Sequence, residues 1–350
     1  MRGLLKYYGI KRVYILGAGF SRPAGLPLTN ELIKLIHGKS STKPWYLGNN
    51  QMAEWGQADW LVEELRHFYP TIRINHKRII ENKLRIDIEE FLSYIAASSA
   101  FIENTGEKWD DHGSKFQSWI KKWLAEVIYE YQKKIAFENL ELYENFAKNL
   151  KKSIVITFNW DTILENTFEK LGIPFSYDLN SAVESKSVAL IKMHGSIDWF
   201  KPHNYDYKRL GKANFSPLCK SISEIYRYNS DLQECFANYL TPYIVTPNFD
   251  KLSQLKAFGD LWTMPWIYLQ DELEVSVIGF SMRQDDFHTR AFIYPQLVYG
   301  TKKNKIRIKV IDYADDHKQQ RKIQKKYKGI KNVQYSFNGF NKETLKWLNK

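Results

Sequence analysis

Cysteine is nearly absent. The 350 residues hold two, Cys219 and Cys235, too few for a disulfide framework or a four-thiolate zinc site. A reducing, cytoplasmic setting is the expectation. No apolar run reaches the ~18 residues that span a bilayer, so no membrane segment is expected. The opening Met1-Arg2-Gly3-Leu4-Leu5-Lys6-Tyr7 has charge but no apolar h-region and no small-residue cleavage site, so no secretion signal is read there. Internal repeats and low-complexity tracts are also missing. Apolar residues at 44% and charged residues at 26% exclude disorder of the whole chain. The length allows one large domain or two small ones.

Acidic residues are scarce in one place. The net charge is +12, and residues 302–350 hold 15 Lys/Arg against 4 Asp/Glu. The remaining 301 residues are close to neutral. A basic C-terminal portion can contact nucleic acid or an acidic partner, or it can be a solvated face without a partner. The run from Arg321 to Lys328 reads as a basic helix with few apolar anchors.

The apolar pattern predicts strands at 12–16, 153–158, 188–193, 243–246, 274–279 and 306–311. Several are continuous β-branched runs, as in a parallel sheet covered on both faces. Helical spacing marks Thr29–Ile36 and much of 61–150, including the stripe Trp119, Ile120, Trp123, Leu124, Val127, Ile128 and Tyr131. Asp87 and Glu90 resemble a capping box before Ile88, Phe91, Leu92 and Ile95. Residues 201–240 are polar, aromatic and irregular. The fold class expected is α/β, a Rossmann-like doubly wound parallel sheet with a large helical insertion and no zinc ribbon.

Ligands of such sheets bind beyond the C-terminal strand ends. The residues found there are Gly17-Ala18-Gly19-Phe20-Ser21, Asn159-Trp160-Asp161, His194-Gly195-Ser196, Gly279-Phe280-Ser281 and Asp312. The Gly-Ala-Gly turn can bring backbone amides to a diphosphate, or can simply be a tight strand–helix connection. Position 22 is Arg where the G-x-G-x-x-G fingerprint has Gly, which disfavours a hydride-transferring dinucleotide enzyme. Arg22 itself is either a phosphate partner or a surface residue. His194 is a candidate base or a structural histidine, and Gly195 would leave room for a ligand beside it. Asn159 is a helix cap, a ligand contact or both.

In this order the pieces resemble the sirtuin superfamily, and most of all its bacterial sirtuin-like (SIR2-like) NAD-hydrolase branch of anti-phage defence. The resemblance rests on Gly17–Ser21 with Gly25-Leu26-Pro27, Thr157-Phe158-Asn159-Trp160-Asp161, His194-Gly195-Ser196, Ile278-Gly279-Phe280-Ser281 with Asp285, and Val310-Ile311-Asp312. Residues 86–92 also look like a helix start of that branch. Residues 1–45 and 151–350 would then form the NAD-binding domain, with 201–240 as an irregular insertion and 46–150 as a helical one. The four-cysteine zinc module and the peptide-binding strand of deacylating sirtuins have no counterpart here, which puts deacylation in doubt.

The resemblance implies NAD⁺ as substrate, no metal, and hydrolysis to ADP-ribose and nicotinamide. His194 would be the base, Asn159 would orient water or ribose, and Asp161 would orient the Asn159 loop or a ribose hydroxyl. Gly17, Ala18, Gly19 and Ser21 would contact the diphosphate. Gly279 and Ser281 would line the nucleotide, and Asp312 would accept from adenosine ribose hydroxyls. Asp198 and Trp199 would shape the loop after His194. A homo-oligomer or a regulatory partner such as a hexameric ATPase is implied, and nucleic acid contact through the basic portion stays open. The alternatives are a non-catalytic subunit binding NAD⁺, ADP-ribose or a partner, a nucleic-acid-binding protein, and an ADP-ribosyl transferase or deacylase.

Overall fold

The computed structural model describes residues 11–28, 31–40, 46–47, 51–52, 57–84, 86, 88–101, 115–219, 222–238, 240–245, 273–282, 287–302 and 306–350. Its strands in chain order are β1 (Arg12–Leu16), β2 (Tyr46–Leu47), β3 (Gln51–Met52), β4 (Ser153–Thr157), β5 (Phe175–Ser176), β6 (Val188–Lys192), β7 (Trp199–Phe200), β8 (Phe215–Cys219), β9 (Ile222–Tyr228), β10 (Leu273–Ile278), β11 (Ile306–Ile311) and β12 (Val333–Ser336).

Seven of these form one parallel sheet in the order β12-β11-β10-β1-β4-β6-β5. The central strands are Val/Ile/Leu runs because helices cover both faces; every residue of β4 and β6 is buried. From β1 the chain builds one flank through β4, β5 and β6, then returns to place β10 on the other side of β1. That reversal is the topological switch point of a doubly wound fold. Register is continuous across it. Leu16 pairs with Ile278 and Thr157, Thr157 with Lys192, and Ile278 with Ile311. The residues following each strand therefore emerge along one edge.

Two apolar cores result. The larger wraps the sheet, and the Phe137–Lys148 helix enters it through Tyr143 and Phe146 against Phe20. The smaller joins the helices Leu32–Ser40, Gln57–Phe68, His76–Ile80, Ile88–Phe101 and Lys115–Gln132. The last of these reaches both, with Ile120, Trp123, Leu124 and Val127 in the small core and Ala125 and Ile128 in the large one.

Three features differ from the sequence reading. The region 201–240, read as irregular, carries the helices Asn204–Leu210 and Leu232–Ala237 and two strands that join β7 in an antiparallel sheet, β7-β9-β8. Its aromatics pack on each other, as Tyr207 does on Phe215 and Tyr226, so composition alone looked loop-like. The segment read as a strand at 243–246 is not in the sheet. Ile244 makes an isolated bridge to Gly195, and residue 246 lies outside the described residues. The short edge strands β5 and β12 were not predicted. Asp87 and Asp285 lie outside the described residues. No described helix is long and apolar enough to cross a membrane.

Candidate functional site

A cavity of about 870 Å³ opens at the switch point, near the upper end of the ~300–1,000 Å³ typical of small-molecule sites. Its lining includes Gly17, Ala18, Gly19, Ser21, Asn159, Asp161, His194, Gly279, Ser281 and Asp312. All ten site candidates named from the sequence thus border one space.

The glycines make the floor possible. Gly17 and Gly19 lie backbone against backbone on Gly279: a Cβ on Gly17 would meet the Gly279 carbonyl oxygen at 2.6 Å, and one on Gly279 would meet Gly19 C at 2.3 Å. Gly279 also has φ +59°, a left-handed conformation that favours glycine. The Gly17 and Gly19 amides donate to the carbonyls of Ile278 and Gly279 at 3.1 and 3.0 Å. These amides stitch β1 to β10 and do not face a ligand; close approach is what the turn offers. Gly195 differs from its sequence reading as well. A Cβ there would meet the Tyr243 carbonyl oxygen at 2.1 Å, so the glycine admits the 243–245 segment rather than a ligand.

A hydrogen-bonded chain orients Asn159. Its Nδ2 donates to Gly17 O and to Ser21 Oγ, both at 2.9 Å, and Ser21 Oγ donates to Asp161 Oδ2 at 2.6 Å. Because Gly17 O can only accept, the amide cannot be flipped, and Oδ1 is the atom left for a ligand. Asp161 is spent inside the protein, since its Oδ1 accepts from the Ile163 amide. Burial pushes its carboxyl above the ordinary range, opposed by Lys192, Ser21 and the Ile163 amide.

Lys192 closes the gap between β6 and that loop. Its ammonium, 1% exposed, donates to Asp161 O at 2.5 Å and pairs with Glu165 at 2.8 Å. Burial pushes the Glu165 carboxyl up, and Lys192 opposes it. Asp198 accepts from Arg227 Nε at 2.7 Å, and the wholly buried Trp199 meets Tyr177 edge to face. These contacts hold the loop after His194.

His194 is 6% exposed and stands edge-on to Phe158, with ring centroids 5.0 Å apart. Phe158 stacks on Phe280 at 4.8 Å. An aromatic wall thus runs from β4 to β10 with the imidazole at one end. At the other end Asp312, half-buried, accepts from the Tyr313 amide at 2.8 Å through Oδ1. Burial raises its carboxyl, opposed by that amide and by Lys326. Arg22 pairs with Glu31 at 2.9 Å and donates to Leu26 O, which clamps the 25–28 loop.

Sequence reasoning passed over several lining residues: Phe158 and Phe280 as walls, and Asn338, Gly339 and Phe340 beyond β12. The first two carry a signal, since Phe158 directly follows β4 and Phe280 stands two residues past the end of β10. The last three carry only an Asn-Gly turn dipeptide. Among the described residues, no group of three or more His, Cys, Asp or Glu could hold a metal ion.

Strand order, parallel register and a nucleotide-sized cavity at the switch point define a Rossmann-like, doubly wound α/β protein. No family model and no curated protein matches the chain. Among solved structures it is similar to a sirtuin described for the structural basis of substrate affinity: 12% identity, TM-score 0.32, covering 100% of this chain and 95% of that one. It is also similar to a Sir2 structure in complex with the inhibitor EX-527, 2′-O-acetyl-ADP-ribose and a deacetylated p53 peptide: 14% identity, TM-score 0.31, covering 100% and 96%. The fold assignment rests on the strand order and crossovers, not on these overlaps.

Proposed function

We propose that the chain is a sirtuin-like NAD⁺ hydrolase that cleaves the nicotinamide–ribose bond, and that it acts in the cytoplasm as an NAD⁺-depleting effector of anti-phage defence. The supporting observation is the convergence on one cavity of the Gly17–Ser21 turn, Asn159, His194, the Gly279–Ser281 turn and Asp312.

The chemistry asks little of the protein. Nicotinamide is bonded through a cationic ring nitrogen and leaves neutral, so no general acid is required, in contrast to an O-glycoside. Water adds at the ribose C1′ as the C–N bond breaks, giving ADP-ribose, nicotinamide and one proton. His194 takes that proton from the water or from a ribose hydroxyl. Asn159 Oδ1, fixed by Gly17 and Ser21, accepts from the water or the ribose without adding charge. The Phe158–Phe280 wall limits stray water. Asp312 accepts from adenosine hydroxyls through the oxygen not bonded to Tyr313. An enzyme of this kind needs restraint, and a homo-oligomer or a regulatory partner such as a hexameric ATPase supplies it in this reading.

The test is nicotinamide release from NAD⁺ by the purified full-length chain, alone and with the products of neighbouring genes. Turnover should fall by about 10²–10⁴ in His194→Ala, with far-UV circular dichroism unchanged, and should also fall in Asn159→Ala. Equal release by wild type and His194→Ala would remove the base. ADP-ribose binding with no release under any of these conditions would make the chain a non-enzymatic nucleotide-binding subunit.

A further inference from the structure

The His317–Lys326 helix and the turn after it are two-sided. Ile323 and Tyr327 are buried toward the sheet, and the Tyr327 hydroxyl donates to Phe280 O at 3.3 Å. On the opposite side Lys318, Arg321, Lys322, Lys325 and Lys328 are all exposed. They recur at intervals of three and four, so they form one stripe roughly 15 Å long at ~1.5 Å rise per residue.

None of the five makes an ion pair with a described residue, and the two acids nearby are already engaged. Asp316 caps the helix by accepting from the Gln319 amide, and Asp315 accepts from the Tyr313 hydroxyl. A face serving only solubility would intersperse Glu, because like charges at these spacings repel while Glu–Lys pairs attract. This stripe repels itself, and a polyanion laid along it relieves that repulsion.

We infer that the cationic stripe Lys318–Arg321–Lys322–Lys325–Lys328 is a docking surface for the phosphate backbone of nucleic acid, independent of the NAD⁺ chemistry. A membrane surface fits less well. Interfacial helices bury an apolar face in lipid, and here that face is packed on the sheet. An acidic protein fits less well too, since stable protein interfaces centre on an aromatic or aliphatic anchor and the stripe presents none. Sequence-independent charge neutralisation is what remains.

The experiment is fluorescence anisotropy of the full-length chain with a labelled DNA duplex of about 25 base pairs and, separately, an RNA strand of about 25 nucleotides, titrated with KCl. Wild type should bind at least one probe with a Kd of order 10⁻⁶–10⁻⁴ M, and affinity should fall with salt at a log–log slope of about −3 to −5. The variant Lys318→Gln/Lys322→Gln/Lys325→Gln should flatten that slope by about 3 and weaken binding more than ~10-fold at low salt. Its thermal midpoint should not fall. The variant Lys318→Arg/Lys322→Arg/Lys325→Arg, which preserves charge, should bind as wild type does. No binding of either probe, or equal binding by wild type and the Gln variant, overturns the inference. So does binding confined to vesicles containing phosphatidylserine.

Discussion

Gly279 and Gly172 both have positive φ, +59° and +63°, yet their surroundings differ. Gly172 ends the Ile163–Leu171 helix with nothing within 4 Å of a built Cβ, whereas Gly279 lies on Gly19. Gly172→Ala should therefore cost about 1–2 kcal/mol, the left-handed penalty alone. Gly279→Ala adds a backbone clash and should exceed ~3 kcal/mol, as checked by urea denaturation. Asp312 supports a pH prediction. Burial raises its carboxyl above 3.8, so the folded chain holds this proton where the unfolded chain releases it. Its contribution to the stability of the unliganded chain is present below 3.8 and is lost as pH rises through the raised value. In the proposed function, Asp312 accepts from ribose hydroxyls in its ionised form, so binding would run the other way. ADP-ribose affinity should fall on acidification at a pH above the ordinary carboxylate value, and Asp312→Asn should remove that acidic limb in calorimetric titrations.

At the scale of elements, the β6 end and the 158–161 loop are joined through one buried cation. Removing Lys192 takes from the buried Glu165 its ion-pair partner and leaves it the Tyr177 hydroxyl at 3.4 Å; breaking a buried pair one-sidedly costs about 3–5 kcal/mol. Replacing both partners with apolar side chains is often close to neutral. Lys192→Met should therefore lower the thermal midpoint strongly, and Lys192→Met/Glu165→Leu should recover most of the loss. A double variant no more stable than the single one would show that the bond to Asp161 O outweighs the pair. Strands of the sheet centre were legible because burial on both faces leaves continuous apolar runs. β12 reads Val-Gln-Tyr-Ser with its residues half-buried or exposed, and β5 has two residues, so neither leaves a pattern that separates strand from loop. The 243–246 run looked like a strand for the opposite reason. Tyr243, Ile244 and Val245 are buried, but under the His194 loop, and burial alone does not specify pairing.

For the molecule as a whole, a ligand in the cavity would touch segments from both flanks of β1 and so bind only the folded chain. Saturation with ADP-ribose at about 100 times its Kd should add about 2.7 kcal/mol to the unfolding free energy, a rise of a few degrees in thermal midpoint. An unchanged midpoint under calorimetrically verified saturation would mean that the site survives unfolding, contrary to its construction from five distant segments. The sequence by itself determined the α/β class, five of the seven sheet strands and the residues standing at their ends, because strand propensity and the position after a strand are local properties. Only the tertiary structure decided what those residues do for one another. Asn159 meets Gly17 and Ser21 across some 140 positions, and three glycines are required by one another's backbones. Asp161 turned inward, and Gly195 makes room for Tyr243. Such contacts depend on which strands become neighbours, and adjacency in a sheet is set by the crossovers of the whole chain rather than by any short stretch of it.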